Sequence, residues 1–588
     1  MSVKIDYSKD SLLDEFALAT LRDRYMVAGE NSPQEAFARA AEAFADDDAH
    51  AQRLYDYVSN LWFMFATPIL SNGGTTRGLP ISCFLNYVDD SREGITEHYV
   101  ENAFLSSFGG GIGGTWSDVR SQGTPTSKGS ESTGVIPFVK VVDAEMLAFS
   151  QGVTRRGSYA AYLHISHPEI EEFLDVRKPT GGDVNRKSTN LHHGVVVPDA
   201  FMERIWSATK YDNFDDSWDL VDPHTGVTRK RVSARTLWVK LLQNRMETGE
   251  PYIMFEDAID AELPDFQKDK GLKVNHSNLC SEITLATNDE RTAVCCLSSV
   301  NLEYYDDWKD HPAFIPDLIR MLDNVLTDFI NRAPEPLHKA KFSAMRERSL
   351  GLGAMGFHAY LQKNNIPFES AQATGANLRI FSHIKEDASI TTRKLAVEKG
   401  ACPDDDTCTV RNAHLLAIAP NASSSIICGN TSPSIEPFRA NAFNQKTKSG
   451  SNLMKNKFLE EVLKSYNKND DETWKSIVTQ KGSVQHLDFL NEWERNVFKT
   501  AVEINQAWLI DHAAHRQEYI CQSQSLNLFF PPDVNKSDLH NAHMLAWARN
   551  LKTLYYLRSE AISRADIVSA QVKREILFEQ SDCLACEG

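Results

Sequence analysis

Three of the ten cysteines have surroundings that suggest chemistry rather than packing. Cys280 lies between Asn278 and Glu282 at alternating positions, so a thiol, an amide and a carboxylate share one short segment. Cys83 lies far upstream, and Cys295 lies a short way downstream. A thiol beside an acid and an amide, together with a separated pair of thiols, indicates redox chemistry.

A fourth and a fifth cysteine, Cys583 and Cys586, form a C-x-x-C pair close to the last residue. A zinc half-site is disfavoured because the chain has no second C-x-x-C pair to match it. A thioredoxin-like motif needs a helix N-terminus inside a folded domain, whereas this pair lies on the terminal tail. A swinging dithiol that recharges another site by thiol–disulfide exchange fits best, and a tail without function is the alternative.

Composition favours a large enzyme of the cell interior. The formal charge of −18 argues against a general nucleic-acid-binding surface, which needs a basic field. The first residues are charged and contain no apolar signal sequence, and no apolar run is long enough to span a membrane. We therefore expect a cytoplasmic protein without nucleic-acid or membrane partners, whose cysteines are catalytic, metal-binding or buried.

The sequence pattern changes after about 66 residues. Helical spacing and an N-cap at Ser32 before Pro33 predict helices up to residue 65, the third over 51–65. Short apolar runs with glycine then follow, and segments 134–138 and 193–197 predict buried strands between helices. This alternation indicates an α/β core, with 446–495 as a surface helical excursion.

Two glycine motifs, 109–114 and 351–356, satisfy the G-x-G-x-x-G pattern of dinucleotide-binding proteins. That fingerprint also needs a preceding strand and a following helix. The second motif follows a charged stretch and the first leads into Thr115-Trp116-Ser117-Asp118, a poor start for a long helix. Close backbone packing is the better interpretation of both.

Segment 278–282, with Cys83 before it and Cys295 after it, resembles the active site of a ribonucleotide reductase large (alpha) subunit. The resemblance continues, in the order of the family, through segments 66–70, 150–152, 348–353, 420–425 and 552–556. Each motif alone is weak, but the ordered set is specific and covers the chain from about residue 60 to the end.

The resemblance implies a role for each residue of the first group. A thiyl radical on Cys280 would abstract the 3′-hydrogen of a ribonucleotide, so that the 2′-hydroxyl can leave as water. Glu282 would act as general base on the 3′-hydroxyl, with Asn278 bound to the substrate. Cys83 and Cys295 would supply two electrons and become a disulfide.

The implied disulfide requires a choice between Cys295 and its neighbour Cys296. The family pattern places the redox thiol at the first of the two, and adjacent residues of a strand point in opposite directions, so Cys295 is preferred. The tail pair Cys583 and Cys586 would then reduce the disulfide, and thioredoxin or glutaredoxin would recharge the tail. The remaining thiols are expected to be ordinary buried or surface groups: Cys402, Cys408, Cys428 and Cys521.

Segment 420–425 places small hydroxyl side chains after an apolar run. On local sequence, a serine helix cap and an anion site at a helix start are equally good interpretations. The resemblance favours a site for the phosphates of the substrate, which is expected to be a ribonucleoside diphosphate. The residues expected to bind substrate are Thr67, Ser82, Asn421, Ala422, Ser423, Ser424 and Ser425.

The resemblance also implies allosteric control of specificity by the nucleotides ATP, dATP, dTTP and dGTP. The effector site would comprise Asp90, Arg120, loop 121–128 and loop 151–158, with Gln151 and Arg155 in the second loop. We expect a homodimer when effector is bound. Only short helices precede the barrel-like sequence where some members carry an ATP-cone, so dATP is expected to act as a specificity effector alone.

Tyr555 and Tyr556 bear on the subclass. Stacked tyrosines can relay an electron from an oxidant in a metal-containing, ferritin-like beta subunit to Cys280, as in class I enzymes. Two aromatic core residues are the ordinary interpretation of such a pair, and a class II enzyme using adenosylcobalamin is the alternative. We expect class I, with no metal or cofactor bound directly by this chain.

The expected architecture is therefore α/β: a ten-stranded α/β barrel of two antiparallel five-stranded halves. Residues 1–66 would form a helical N-terminal region, 67–570 the catalytic barrel with helical insertions, and 571–588 a flexible tail carrying the redox pair. The predicted activity is reduction of ribonucleotides to 2′-deoxyribonucleotides by thiyl-radical chemistry. A nucleotide-binding regulator without catalysis is the alternative from another class, and the complete set of cysteines with Glu282 argues against it.

Overall fold

The structure is a computed structural model that describes residues 3–149, 157–447 and 450–559. Its N-terminal region is helical, and the helices begin where the sequence supplies caps. Ser32 accepts a hydrogen bond from the backbone of Gln34 with Pro33 at the first helical position, as predicted. The helix expected over 51–65 instead runs over Asp48–Ser59, and Phe63–Phe65 form a strand that pairs with a distant part of the chain.

Helices and strands alternate along most of the chain. The helices are α1 Glu15–Arg24, α2 Pro33–Phe44, α3 Asp48–Ser59, α4 Thr67–Asn72, α5 Arg92–Ser107, α6 Val135–Ala148, α7 Ile170–Leu174, α8 Asp199–Lys210, α9 Ala234–Thr248, α10 Glu256–Ala261, α11 Asp265–Lys268, α12 Tyr305–Trp308, α13 Phe314–Arg332, α14 His338–Glu347, α15 Phe357–Lys363, α16 Ala371–Lys399, α17 Ala422–Ile427, α18 Lys457–Ser465, α19 Asp471–Thr479, α20 Glu492–Val497, α21 Gln506–Gln517 and α22 Lys536–Ala548. The strands are β1 Phe63–Phe65, β2 Cys83–Tyr87, β3 Gly111–Thr115, β4 Ser158–His164, β5 His192–Val197, β6 Ser217–Val221, β7 Thr228–Ser233, β8 Tyr252–Phe255, β9 Ala293–Asn301, β10 Leu350–Met355, β11 Ala442–Thr447, β12 Gly450–Lys455, β13 Leu528–Phe530, β14 Thr553–Leu554 and β15 Leu557–Ser559.

The main sheet contains nine strands and curls into a half-barrel. Five of them, β2, β3, β4, β5 and β8, lie side by side and parallel. At one edge β9 joins β2 antiparallel, and at the other edge β14 joins β8 antiparallel. On β9, strand β10 pairs in parallel and β1 pairs antiparallel. The chain is thus mixed α/β with a helical N-terminal region, as expected.

Helices cover the outside of this sheet, which explains the apolar runs of its strands. All nine residues of β9 are buried, as is typical of strands that are covered on both faces. Helix α13 buries one continuous apolar stripe against β9 and β10 and against the N-terminal helices. Among the described residues, no helix is long and apolar enough to cross a membrane.

One expected strand is wrong. Segment 134–138 begins helix α6, which continues for 14 residues from a glycine N-cap, Gly134, with φ of 81°. A short apolar run has the same composition in a buried strand and in the first turns of a buried helix, so periodicity could not separate the two. The excursion at 446–495 is partly helical as expected: α18, α19 and α20 pack together beside the hairpin β11–β12.

Both glycine motifs lie in strands of the main sheet, and the interpretation as close packing is confirmed. Gly113 in β3 has no room for a side chain, because a Cβ atom would overlap the carbonyl oxygen of Ser277 and lie 2.9 Å from Asn278 Cα. Gly351 in β10 is equally confined, since its Cβ would lie 2.8 Å from Cys295 Sγ. The glycines allow a buried loop and a buried thiol to approach the strands.

A substitution at Gly113 tests this close approach. Gly113→Ala should lower the free energy of unfolding by about 1–3 kcal/mol, because the added methyl group displaces the loop that begins at Ser277. Gly375→Ala is the matched control: this glycine lies within α16 with open space around its Cβ position, and alanine should stabilise the helix by about 0.5–1 kcal/mol. Denaturant unfolding of both variants measures the difference, and equal stability would contradict the packing described.

Candidate active site

The segment that holds Asn278, Cys280 and Glu282 is a buried loop inside the curled sheet, on the chain between α11 and β9. Its entry is fixed on β3, where the ring of His276 bonds the Gly113 carbonyl at 3.0 Å. Ser281 has a φ of 66°, a left-handed conformation that is uncommon for a residue with a side chain. Cys280 immediately precedes this turn, and Glu282 immediately follows it.

Strand β4 holds the loop from one side. The hydroxyl of Tyr162 donates to the backbone carbonyl of Asn278 at 2.7 Å, and it lies 3.3 Å from the Ser281 hydroxyl. Burial raises the pKa of Tyr162 far above its ordinary value, so this phenol remains a donor.

Three residues from the C-terminal part of the chain hold the loop from the opposite side. Thr553 Oγ1 donates to the Ser281 carbonyl at 2.8 Å, Ser525 Oγ donates to the Cys280 carbonyl at 2.6 Å, and Ser523 N donates to the Glu282 carbonyl at 2.9 Å. This loop is irregular, so the backbone hydrogen bonds of a helix or a strand do not satisfy its carbonyls. These side-chain and backbone donors satisfy them instead. The left-handed turn therefore persists because several groups fix it at once.

The side chains of Asn278, Cys280 and Glu282 are all almost completely buried. Asn278 Oδ1 accepts a hydrogen bond from the backbone of Ile283, while its Nδ2 has no hydrogen-bond partner within the described part of the chain. A buried amide donor without a partner is costly and points to a ligand that completes it. Ser525 Oγ also lies 3.2 Å from Glu282 Oε2, so the carboxylate has a polar contact inside the barrel.

Cys83 and Cys295 are directly opposite each other on the antiparallel strands β2 and β9. Residues opposite each other in such a pair have Cα atoms about 4.5–5.5 Å apart and side chains on the same face, which suits a disulfide. The sequence could not show this pairing, because more than two hundred positions separate the two residues along the chain.

The choice of Cys295 over Cys296 fits the surroundings of the two thiols. Gln522 Nε2 lies 3.5 Å from Cys295 Sγ. Burial raises the pKa of Cys295 well above its ordinary value, and the Glu282 carboxylate contributes to the rise. Burial also raises the pKa of Cys296, but there the contributing carboxylate is Asp323 on the outer helix α13. Cys295 therefore faces the loop, and both thiols keep their protons near neutral pH.

Gln522 is a member of the site that sequence analysis missed. Besides its contact with Cys295, its Nε2 donates to the Leu350 carbonyl at 2.9 Å, and its Oε1 accepts from Thr284 N at 3.3 Å. It thus joins β10, the end of the loop and the Cys295 thiol. The only available signal was its place in the polar segment 522–525, which by itself indicates no more than a loop.

Tyr555 and Tyr556 belong to one buried cluster with Cys280, whose further members are largely apolar. Their ring centroids are 4.2 Å apart, and Tyr252 of β8 completes an aromatic group at 4.8 Å from Tyr555 and 5.1 Å from Tyr556. Tyr252 was not predicted, because it follows an unremarkable helix end and comes close only through the pairing of β14 with β8. The pair is therefore adjacent to the loop that carries Cys280.

The residues expected to bind phosphate meet at β9. Thr67 opens α4, and its neighbour Ala66 donates a backbone hydrogen bond to Ser298 Oγ at 3.3 Å. Asn421, in a left-handed conformation, caps α17, and its Nδ2 donates to Ser299 Oγ at 2.8 Å. Of the remaining expected contacts, Ala422, Ser423, Ser424 and Ser425 form the start of α17, and Ser82 immediately precedes β2; all except Ala422 are buried.

The two effector candidates that the structure describes form an ion pair. Arg120 Nε lies 2.9 Å from Asp90 Oδ2, and His224 from the β6–β7 connection lies 3.1 Å from the same oxygen. Asp222 anchors the loop after Arg120 by accepting bonds from the backbone and hydroxyl of Ser121 and from Thr124. These hydrogen bonds hold the pKa of Asp222 well below its ordinary value, against the effect of its burial.

Four predicted site residues lie outside the described residues: Gln151, Arg155, Cys583 and Cys586. Their roles stay predictions. Within residues 3–149, 157–447 and 450–559, no cluster of three or more histidine, cysteine or acidic side chains could hold a metal ion.

Comparison with protein families matches nearly all of the chain. The model described as "Ribonucleotide reductase, barrel domain" matches residues 81–407 and 406–557. The model described as "Ribonucleotide reductase, all-alpha domain" matches residues 11–78, which contain the first helices.

Full-length relatives agree with the family models. A protein of Invertebrate iridescent virus 3 named "Ribonucleoside-diphosphate reductase large subunit" is 44% identical over 637 residues, which cover 100% of both chains. The "Ribonucleoside-diphosphate reductase large chain" of Cryptosporidium parvum is 32% identical and covers 95% of this chain and 77% of its own. Among solved structures, the "Actinobacillus ureae class Id ribonucleotide reductase alpha subunit" superposes with a TM-score of 0.81 at 35% identity, over 95% of this chain and 100% of that one.

The hydroxyl of Thr553 offers a test of how the loop is held. Thr553→Val keeps the shape of the side chain but leaves the buried carbonyl of Ser281 without this donor. The free energy of unfolding should fall by about 1–3 kcal/mol, the cost of an unsatisfied buried polar group. Thr553→Ser retains the hydroxyl and is the control, and denaturant unfolding would contradict the assignment if valine and serine were tolerated equally.

Proposed function

The chain belongs to the ribonucleotide reductase large (alpha) subunits, is class I-like and acts as a ribonucleoside-diphosphate reductase; from this premise we propose that it reduces the ribose by a thiyl radical on Cys280. The observation that carries the proposal is the buried loop in which Cys280 lies between Asn278 and Glu282, beside the paired positions of Cys83 and Cys295. Each participant of the reaction is thereby present within one water-excluded interior.

The reaction begins with hydrogen transfer. The Cys280 radical takes the 3′-hydrogen of the substrate, which turns the ribose into a radical from which the 2′-hydroxyl leaves as water. Glu282 takes the proton of the 3′-hydroxyl, and the free Nδ2 donor of Asn278 holds the substrate in place. At the end of the reaction Cys280 returns a hydrogen atom to C3′ and becomes the radical again.

Cys83 and Cys295 supply the reducing equivalents. In the balanced reaction the C2′–OH bond is replaced by C2′–H, two thiols become one disulfide and one water is released. The raised pKa of Cys295 supports this role, since a protonated thiol brings a proton together with each electron. Cys583 and Cys586 then reduce the disulfide by thiol–disulfide exchange, and thioredoxin or glutaredoxin recharges them.

A ten-stranded barrel of two antiparallel five-stranded halves surrounds the loop. The first half is β2, β3, β4, β5 and β8, and β9 with β10 begins the second half. Parallel bridges join Leu352 to Leu416 and Ile418 to Gln524, and Tyr555 N donates to the Leu526 carbonyl at 2.9 Å. These contacts continue the second half up to β14, whose pairing with β8 closes the barrel.

Tyr555 and Tyr556 carry the oxidising equivalent from a ferritin-like, metal-containing beta subunit to Cys280. Their 4.2 Å ring separation and their burial with Cys280 support this relay. The name of the viral relative, a large subunit, and that of the solved relative, a class Id alpha subunit, also support a second, small subunit as partner.

The substrate diphosphate binds between α4 and α17. Thr67 and Asn421 stand at the starts of these helices, and strand β9 anchors both segments. The backbone N–H of Ala66 donates to Ser298 Oγ, and Asn421 Nδ2 donates to Ser299 Oγ. Ser82, Ala422, Ser423, Ser424 and Ser425 complete this site.

Nucleoside triphosphate effectors (ATP, dATP, dTTP and dGTP) bind near Asp90 and Arg120, with Gln151 and Arg155 of the second loop. The Asp90–Arg120 ion pair, anchored through Asp222, supports an ordered site at this position. Asp90 lies just before α5, and helices α5 and α6, which pack against each other, expose the apolar side chains Val100, Phe104, Val141 and Leu147. Exposed apolar side chains on these helices support an effector-dependent homodimer.

Cys280→Ser tests the central step. A hydroxyl cannot carry the radical at accessible energy, so nucleotide reduction should disappear while binding of the nucleoside diphosphate is retained. Cys402→Ser, which changes another buried cysteine, is the control and should keep activity. Deoxynucleotide formation by the holoenzyme and equilibrium binding are the measurements, and turnover by the Cys280 variant would contradict the proposal.

Tyr555→Phe tests the source of the radical. Phenylalanine keeps the ring and its packing but has no O–H group to oxidise, so activity with the metal-containing small subunit should be lost in a folded protein. Tyr305→Phe, which removes the hydroxyl of another buried tyrosine bonded to His383 at 3.3 Å, should cost only about 0.5–1.5 kcal/mol of stability and leave turnover intact. Full activity of Tyr555→Phe, or activity of the lone chain with adenosylcobalamin, would overturn the relay.

A further inference from the structure

Tyr556 touches a buried polar group that the relay described so far does not use. His192 Nδ1, at the start of β5, lies 3.2 Å from the phenolic oxygen of Tyr556 and 2.6 Å from Glu250 Oε1. Glu250 precedes β8, and the parallel pairing of β5 with β8 brings the two side chains together. A histidine and a carboxylate therefore adjoin the outer tyrosine of the pair, with the side chain of Glu250 buried and that of His192 14% exposed.

The position of the proton in this group follows from the surroundings of Glu250. Its oxygens contact the guanidinium of Arg177, the backbone N–H of His193 at 3.0 Å and His193 Nδ1 at 3.1 Å. Burial acts to raise the pKa of Glu250, but Arg177 and His192 outweigh burial and hold it well below the ordinary value. Glu250 is thus a carboxylate, and the 2.6 Å contact requires that His192 Nδ1 carries the proton and donates it to Glu250.

A protonated Nδ1 cannot accept the phenolic proton of Tyr556. The Tyr556 oxygen, at 3.2 Å, is instead a second and weaker acceptor of the same N–H group. The phenolic O–H must then point away from His192, while the ring of Tyr555 packs against the ring of Tyr556 with centroids 4.2 Å apart. The contact therefore fixes the direction of the O–H bond that the radical relay has to break and re-form.

We propose that His192, oriented by Glu250, is a positioning residue that holds the Tyr556 phenol for hydrogen exchange with Tyr555. In the exchange the O–H bond of Tyr555 breaks as the O–H bond of Tyr556 forms, and one electron and one proton move together from Tyr555 to the Tyr556 radical. No proton enters or leaves the His192–Glu250 pair. The electron first removed from Tyr556 goes to the oxidant of the small subunit, as in the proposed function on which this inference rests.

The neighbours of His192 keep its ring in place. The ring of Tyr252 is nearly parallel to the imidazole, with centroids 6.2 Å apart and an angle of 14° between planes. The guanidinium of Arg558 lies 4.2 Å above the ring of Tyr556 on its other side. Among the described residues, Arg177, Glu250 and His193 surround the imidazole, and Arg177 Nη1 lies 3.2 Å from His192 Nδ1. Arg558, Tyr252 and Tyr555 surround the phenol.

Two substitutions of His192 separate a positioning role from the role of a base. In His192→Gln the amide N–H can still donate to the phenolic oxygen but the side chain cannot take up a proton, whereas in His192→Phe the ring remains and the donor is lost. We expect kcat of the holoenzyme with its metal-containing small subunit to fall about tenfold or more in His192→Phe, equivalent to about 1.4 kcal/mol in the barrier. His192→Gln should stay within about threefold of the unchanged enzyme with the same pH profile of kcat, and KM should not change in either variant.

His193→Phe is the matched control. It removes a neighbouring imidazole that contacts the same carboxylate but does not touch Tyr556, and its ring already packs edge-on against Phe173. This variant should resemble the unchanged enzyme in kcat, and thermal unfolding with equilibrium binding of nucleoside diphosphate shows whether each variant is folded.

Three results would overturn the inference. If His192→Phe turns over normally while Tyr556→Phe is inactive, the relay stands but His192 does not position it. If His192→Gln is as impaired as His192→Phe, or loses a limb of the pH profile, then His192 accepts a proton instead of holding the phenol. An active Tyr556→Phe would instead remove the proposed relay itself, a failure that this set of variants distinguishes from that of His192.

Discussion

The close approach of the loop 276–283 to the sheet is the constraint on which the rest of the site depends. The loop can enter the interior only because β3 has no side chain at Gly113, and it keeps its left-handed turn at Ser281 only because both sides of the sheet bind its carbonyls. Thr553 and Ser525 come from the last part of the chain, so the loop is complete only when the C-terminal strands have joined the sheet.

Burial sets the chemistry of the groups around this loop. In the interior, desolvation raises the pKa of the Cys295 thiol and of the Tyr162 phenol and keeps both protonated, so that neither side chain carries a charge. Where a charge is buried, as at Glu250, a guanidinium and several donors compensate it. Such an interior suits the radical chemistry proposed for this site, because a closed site protects a reactive intermediate from side reactions.

Sequence order and residue type singled out Asn278, Cys280 and Glu282, which the structure places in one buried loop, while their roles stay predictions. The alternation of Asn278, Cys280 and Glu282 placed an amide, a thiol and an acid together, and strand alternation separated Cys295 from Cys296. What the sequence could not show were the partners that reach the loop through long-range strand pairing. The local sequences around Gln522 and Tyr252 contain no signal of a site. Both residues reach the site only through the pairing of strands that are far apart in the chain. The mistaken strand at 134–138 has a related cause, since a short buried run has no period that separates helix from strand.

The most direct test of the radical mechanism is one turnover without any external reductant. Prereduced enzyme would be mixed with the metal-containing small subunit, effector and a nucleoside diphosphate, and both the product and the oxidised cysteines would be counted, with the tail cysteines Cys583 and Cys586 replaced by serine. The mechanism predicts about one deoxynucleotide per active site, matched by one new disulfide between Cys83 and Cys295, with Cys280 recovered as a thiol. Product formation without that disulfide, or a disulfide that contains Cys280 or Cys296, would contradict it.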